Sequence, residues 1–337
     1  MHLRLVKGAY WDYEIKHAQV SGYEGYPVFS KKSLTDISFL SCARQILQNK
    51  KIYPKFATHN AHTISSISFL AKDSPYEFQR LYGMGELLYK SASEVLGLDK
   101  RPSIYAPIGN YKDLLPYLVR RLLENGANSS FINRLLDPET DSKWLAENPM
   151  VRMKKETKEI PLPKDIFNKR ENSSGYDLTE DENLKRLESS LAKFENALVD
   201  AESIYVGRVK SSTSAHKAIS VANNKLIGSV TFDDPSNIEN AITNKSESIW
   251  NHFSVDERSK ILQDIADHIE QEPNQLIFYL INEAGKTIQN AIDEIREAID
   301  FLRYYSEQIK EINKNNELEG PTGEINNISY SNKGRFL

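Results

Sequence analysis

The chain has 337 residues, of which 39% are hydrophobic, 27% charged and 10% aromatic, and its net charge is −4. At about 150 residues per domain this length suits two domains, and the apolar content excludes disordered, collagen-like and low-complexity classes. The charge is uneven: residues 1–137 hold 18 Lys and Arg against 12 Asp and Glu, and residues 138–337 hold 25 against 35. A basic first half favours an anionic ligand such as a phosphate or carboxylate, but the excess is too mild for a nucleic-acid partner.

In chain order, the N-terminal MHLRLVKGAYW has no charged-then-apolar export layout, and LRLV reads as a short strand closed by Lys7-Gly8. Leu34–Gln48 has helical apolar spacing through Leu34, Ile37, Leu40, Ile46 and Leu47. Its Cys42 is the only cysteine in the chain, which excludes a disulfide scaffold or thiolate zinc cluster and suits a reducing, cytoplasmic setting. Lys55–His59 is extended, His62–Ala71 helical, Tyr76–Leu81 extended and Glu86–Leu96 helical behind Gly83-Met84-Gly85. Ser103–Ile108 is extended, and Leu114–Glu124 is a helix stopped by Asn125-Gly126.

Strand–helix alternation at this spacing predicts about four βα units on a parallel sheet within residues 1–137. A closed (β/α)8 barrel needs eight units, and the chain lacks the G-x-G-x-x-G turn of a dinucleotide-binding doubly wound sheet. The expected fold class is therefore α/β, a partial (β/α)8 barrel. In such a barrel the strand ends converge on one mouth. Lys7 and Tyr10, His59 and Asn60, Gln79 and Leu81, and Tyr105 all fall at strand ends, while Arg120 and Arg121 lie on the last helix with Glu124 following. Paired guanidinium groups oriented by a carboxylate form a receptor for a small carboxylate. His59 and His62 have no further residue at ligand spacing, so no metal is expected.

Residues 138–183 read as a linker containing Pro138, Pro149, Pro161 and Pro163. Leu184–Val199 looks helical, and extended runs Ala218–Ala222 and Leu226–Phe232 meet at Asn223-Asn224, a hairpin signal. Ser254 and Glu257 form a capping box, with Ile261, Ile265 and Ile269 predicted on one face and Pro273 in a helix first turn. Past Gly285, residues Ile288, Ile292, Ile295, Ile299, Leu302 and Ile309 keep 4-3 spacing, a core-facing stripe or a partner-binding helix. No run reaches the ~18 apolar residues of a membrane span.

The strings RLVKGAYWDYEIKHAQVSGYEGYPVF, FATHNAH, YEFQRLYGMGE, IYAPIGNY and YLVRRLLENGANSSFINR closely resemble the proline dehydrogenase barrel of the bacterial bifunctional proline-utilization flavoproteins. IPLPKDIF and RENSSG resemble that family's segment after the barrel. NEAGKTIQNAIDEIREAIDFLRYYSEQI and GPTGE resemble the N-terminal part of its second enzyme, the NAD-dependent semialdehyde dehydrogenase of the aldehyde dehydrogenase superfamily. The resemblance implies an FAD site at Arg4, Val6, Lys7, Gly8, Ala9, Trp11, Ser30, His59, Asn60, Gln79 and Glu124. It implies an L-proline pocket at Tyr10, Leu81, Tyr105, Arg120 and Arg121, with the Arg pair on the substrate carboxylate. Ser30 stands where the family has threonine, and Tyr82 where relatives have histidine. The implied chemistry is hydride transfer from proline to flavin, which membrane quinone reoxidises, giving a cytoplasmic protein peripheral to the inner membrane.

Measured against that family, two parts are missing from the sequence. Four earlier strands, bearing a lysine and an aspartate of the site, do not precede Met1. Residues 138–337 contain no thiol nucleophile and no Gly-rich dinucleotide turn, so no NAD site or aldehyde oxidation is expected here. The expected organisation is 1–137 as the C-terminal barrel half, 138–183 as linker, and 184–337 as a truncated, mainly helical start of the aldehyde dehydrogenase domain. Three readings follow: an interior fragment inactive alone, one subunit of a split enzyme completed by a complementary chain, or a non-catalytic module binding a partner through Thr287–Ile309. All share one expectation, that Lys7, His59, Gln79, Tyr105 and the Arg pair face a common rim.

Overall fold

The computed structural model describes residues 1–8, 10–72, 74–98, 101–126, 143, 146–157, 159–204, 215–243, 249–314 and 317–330. Two compact units result, one of Met1–Lys16 with Tyr26–Ile160, the other of His17–Gly25 with Pro161–Leu337.

In the first unit, strands β1 (His2–Val6), β2 (Tyr53–Ala57), β3 (Glu77–Leu81) and β4 (Ser103–Tyr105) lie side by side in sequence order, each pair parallel. Between and after them run α1 (Trp11–Ser21), α2 (Lys32–Gln48), α3 (Ala61–Ala71), α4 (Glu86–Leu96), α5 (Tyr111–Gly126) and α6 (Pro149–Lys155). Parallel neighbours require such crossovers. Successive strand residues point to opposite faces, and the register Leu5–Phe56–Phe78 aligns one apolar row. That row packs with Phe39, Ala43 and Leu47 of α2, Ile64 and Ile67 of α3, and Tyr89 of α4. Phe56 is 0% exposed, and burying one such ring contributes roughly 1.5–3 kcal/mol.

Expected and observed elements differ in several places. Helix α1 is absent from the periodicity reading because only Ile15 and Ala18 of it are buried hydrophobics, too few to write a stripe. β4 ends at Tyr105 rather than Ile108, and α5 runs through Gly126 instead of stopping before it. In α2 the buried stripe is Ser33, Asp36, Phe39, Ala43 and Leu47; of the predicted Leu34, Ile37, Leu40, Ile46 and Leu47, Leu47 lies on it and the others fall one step round.

The second unit is mainly helical. It contains α7 (Asp181–Leu191), strands β5 (Val199–Glu202), β6 (His216–Ile219) and β7 (Leu226–Thr231), then α8 (Pro235–Thr243), α9 (Val255–Gln271), α10 (Asn274–Asn282) and α11 (Ile288–Lys314). A two-residue pair, β8 (Glu317–Leu318) with β9 (Asn326–Asn327), follows. Strand order is β5-β7-β6, with β5 parallel and β6 antiparallel to β7. The β6–β7 hairpin turns where expected, with Asn224 at φ 58°. The predicted helix Leu184–Val199 is a correction: α7 stops at Leu191, a 3-10 turn spans Ala192–Phe194, and the β-branched Val199 pairs with Gly228. Ser254 and Glu257 form the predicted capping box, but Ile265 is exposed and Ala266 takes the core position. Pro273 caps α10 from just outside its first turn.

The α11 stripe faces the core: Ala291, Ile292, Ile295 and Ile299 pack with Leu187, Ala266 and Ile277. The same helix holds the stretch after Pro161. Asp300 accepts from the Ser173 amide (3.1 Å), the Ser173 hydroxyl (2.9 Å) and Arg170 (2.8 Å). Arg296 donates to the carbonyls of Ser173 and Val20, and Glu270 accepts from the Ser174 amide at 2.7 Å. Arg303, 6% exposed, bridges Asp267 and Glu270. At Gly175 a Cβ would lie 2.0 Å from the Ser21 carbonyl oxygen, so only glycine permits that approach.

Candidate active site

The strand alternation that sends Leu5, Phe56 and Phe78 to the helices sends a second set to the opposite face. In register, Arg4, Lys55 and Glu77 form one row, Val6, Ala57, Gln79 and Ser103 the next, and Leu81 and Tyr105 the last, at the C-terminal strand ends. Among the expected site residues, Arg4, Val6, Gln79, Leu81 and Tyr105 therefore share one face. No helix of the core cluster covers it: Val6 is 53% and Tyr105 45% exposed.

A ring pair links this face to α5, with cation–π contacts on either side of it. The Arg4 guanidinium lies 5.6 Å from the Tyr105 ring centre, and the Tyr105 and Tyr117 rings are 6.4 Å apart. Arg121 sits over Tyr117 at 5.3 Å, whereas Arg120 sits over Tyr10 at 5.8 Å. The two adjacent guanidinium groups thus rest on different rings, each contact worth roughly 0.5–1 kcal/mol where solvent-exposed. The Trp11 indole donates to the Phe29 carbonyl at 2.8 Å, which places it beside Ser30. Ala9 and the Glu124 side chain lie outside the described residues.

His59 and Asn60 follow β2. Asn60 caps α3, its side-chain oxygen accepting from the Thr63 amide at 3.0 Å, and the Asn60 amide donates to the Thr58 hydroxyl at 3.2 Å. The Leu81 amide donates to His59 Nε2 at 3.2 Å. Burial, then the nearby Arg80 charge, holds the His59 imidazole below its usual range. The Tyr89 hydroxyl, its pKa raised by burial, donates to the Thr58 carbonyl at 2.8 Å.

Lys7 departs from the common rim. One residue beyond β1, its ammonium turns toward the helices, donating to Asp36 Oδ1 at 2.5 Å and to the Thr63 hydroxyl at 3.1 Å, over the Phe39 ring. Burial lowers the Lys7 pKa, and Asp36 opposes that shift. Burial alone would raise Asp36, but Lys7 and Lys32 together hold it low. Asp36, Thr63 and Arg80 were not singled out from sequence. A signal for Asp36 exists: it stands three residues before Phe39 on the buried stripe of α2, where an unpaired acid would be costly.

Whether these residues suit a cofactor can be tested on two atoms. Gln79 Oε1 is buried and, among the described residues, has no hydrogen-bond partner, a state that calls for a donor from a ligand. At Gly8 a Cβ would meet nothing within 4 Å, so open space adjoins the backbone after β1. Both fit a ligand at the strand ends. Among the described residues no group of three or more His, Cys, Asp or Glu is arranged to hold a metal, and no helix is long and apolar enough to cross a membrane.

Comparison with known proteins defines the class first. Residues 1–134 match the proline dehydrogenase family and residues 208–335 the aldehyde dehydrogenase family, so the chain joins two oxidoreductase regions. The bifunctional protein PutA of Escherichia coli strain K12 is 40% identical over 97% of this chain and 26% of its own length, and PutA of Rhizobium meliloti is 39% identical over 91% and 26%. A crystal structure of Bdellovibrio bacteriovorus proline utilization A, inactivated by N-propargylglycine, superposes with a TM-score of 0.79 at 26% identity, covering 96% of this chain and 34% of that one. The chain belongs to the PutA-type bifunctional proteins, and it spans about a quarter of the length of those relatives.

Proposed function

We propose that the chain serves proline catabolism, its first 137 residues being the C-terminal half of a proline dehydrogenase (β/α)8 barrel that holds FAD and L-proline. The observation that carries this reading is the single open face where Val6, Gln79, Leu81 and Tyr105 meet at the strand ends. Sequential parallel order with α2, α3 and α4 packed on one side supports barrel winding, whereas a doubly wound sheet reverses its order and is covered on both faces. Residues 138–183 then connect to the start of an aldehyde dehydrogenase domain from 184 onward. A half barrel leaves its inner face to be covered by further βα units. The long helix α11 spends its apolar stripe on its own core, which disfavours the reading of that stripe as a partner-binding face.

In this reading Arg4, Val6, Gly8, Trp11, Ser30, His59, Asn60 and Gln79 hold the flavin, and Gln79 Oε1 accepts from it. Ala9 and Glu124 join them by resemblance. Lys7 acts from the helix side, tied to Asp36 and Thr63. FAD, when bound, would supply the hydride acceptor for oxidising L-proline to pyrroline-5-carboxylate, with quinone as the eventual electron acceptor. Arg120 and Arg121 bind the proline carboxylate as charged donors, while Tyr10, Leu81 and Tyr105 exclude water and orient the ring, so their contribution is orientation more than proton transfer. NAD belongs to the semialdehyde dehydrogenase activity of longer relatives, since residues 138–337 have no thiol to run it.

Titration of the chain with FAD, followed by flavin fluorescence, tests this. Saturable binding weakened by Gln79→Leu is expected, with proline-dependent dye reduction once the remaining βα units are co-expressed. A chain that binds no flavin, alone or co-expressed, overturns the reading.

A further inference from the structure

The loop ends of β2 and β3 meet at one ring. His59 Nε2 receives the Leu81 amide at 3.2 Å. A backbone N–H donates only to a lone pair, so Nε2 carries no proton, and the one ring proton resides on Nδ1. An imidazolium, with N–H at both positions, would set two donors against each other. Burial and the Arg80 charge favour the same neutral state.

The ring is also held in place. After β3 the chain turns through Gly83 and Gly85, both with positive φ (76° and 69°). A Cβ on Gly85 would stand 2.7 Å from His59 Cδ2, so glycine lets the turn close against the ring edge. Arg80 closes the same turn, donating to the Met84 carbonyl at 3.2 Å and the Leu81 carbonyl at 3.5 Å. Among the described residues nothing accepts from Nδ1, and that nitrogen is not among the buried atoms lacking a partner.

We propose that His59 is locked in the Nδ1–H tautomer and offers that N–H to an acceptor oxygen of bound flavin dinucleotide, with Arg80 and Gly85 as its positioning residues. The target of the donor rests on the flavin reading above; the lock does not. It also joins the two implied sites, because the Leu81 amide that fixes the cofactor-side ring belongs to the substrate pocket.

Two-bond 1H–15N spectra of the 15N-labelled chain read the tautomer, with the His59 signal assigned by its loss in His59→Asn. A single Nδ1–H pattern from mildly acid to mildly alkaline pH is expected, and a mixture of tautomers in Arg80→Met and Gly85→Ala. An Nε2–H pattern or an averaged one in the unsubstituted chain overturns the lock, and an unchanged pattern in both variants overturns the positioning roles. For the donor, asparagine places an amide N–H near Nδ1 and glutamine near Nε2. His59→Asn should keep the FAD Kd within about threefold, while His59→Gln and His59→Ala raise it about tenfold, the size of one lost hydrogen bond. The opposite ranking overturns the donor role. Absence of FAD binding both alone and with the remaining βα units co-expressed overturns the flavin reading and the donor's target together, and the spectra then decide the lock separately.

Discussion

The two units use polar residues in opposite ways. In the second, Arg296, Asp300, Arg303 and Glu270 turn inward and spend their hydrogen bonds on Arg170, Ser173, Ser174 and one another. The first has an inward cluster too, Lys7 with Asp36 and Thr63, but among the described residues leaves Gln79 Oε1 buried without a partner and Val6 and Tyr105 open. Unspent polar capacity beside uncovered apolar surface is where a ligand can add free energy, because the protein's own contacts there are incomplete. The network of the second unit directs most of its polar groups to the protein itself, although Arg303 Nη1 is also buried with no partner among the described residues.

Substitutions can break or sharpen this contrast. The largest effect belongs to the covered side of the first sheet, where Phe56→Ala removes the ring beneath α2 and α3 and is expected to cost about 3–5 kcal/mol in urea unfolding. A loss below 1 kcal/mol would show that this face is not the core. Next comes Asp300→Ala, which leaves two Ser173 donors without their acceptor and Arg170 without its ion pair, at about 2–4 kcal/mol; Gln79→Leu, by contrast, should leave unliganded stability within about 1 kcal/mol, since Oε1 makes no bond among the described residues.

Acid titration compares the two inward clusters. Asp36 and Glu270 are both held below their ordinary values of 3.8 and 4.5: burial pushes each up, but Lys7 and Lys32 outweigh it for Asp36, and Arg303 with the Ser174 amide for Glu270. A carboxylate with a depressed folded pKa stabilises fully above its ordinary value, and that contribution is lost as pH falls through the lower folded value. Asp36→Asn and Glu270→Gln should therefore each flatten the fall in stability at acid pH and leave its shape near neutrality unchanged. Equal acid slopes in variant and parent would refute the ion pairs. A small effect is also expected at the α9 capping box, where Ser254→Ala should cost about 1 kcal/mol and leave FAD affinity untouched.

Much of this architecture was legible in the sequence, for reasons that differ by element. Strands β1 to β3 and helices α3 and α4 were readable because turn residues flank short apolar runs, and α11 because about six turns of 4-3 spacing cannot be mistaken. The rim was half readable. Gln79, Leu81 and Tyr105 follow from strand alternation, but Lys7 lies one residue past β1, where alternation reverses its side and Asp36 captures it. Asp36 itself was hidden because apolar spacing in α2 fits two adjacent lines, and a buried acid is discounted on either. His59 was visible as a strand-end residue, yet its bond to Leu81 spans 22 positions and has no local mark. The stretch 163–175 read as a tether, since prolines and charges dominate it and its partners lie about a hundred residues away.

That stretch has a practical consequence for anyone dissecting the molecule. Excising the second unit at residue 184 would strip Asp300 of all three donors and Glu270 of the Ser174 amide, turning paired charge into exposed, mispaired charge. A cut at 161 keeps those bonds and forfeits bonds to residues 17–25, such as those to the Gln19 and Val20 carbonyls. Proteases should report the same asymmetry: despite its composition, Asn172–Ser173 ought to resist cleavage as well as any helix beside it.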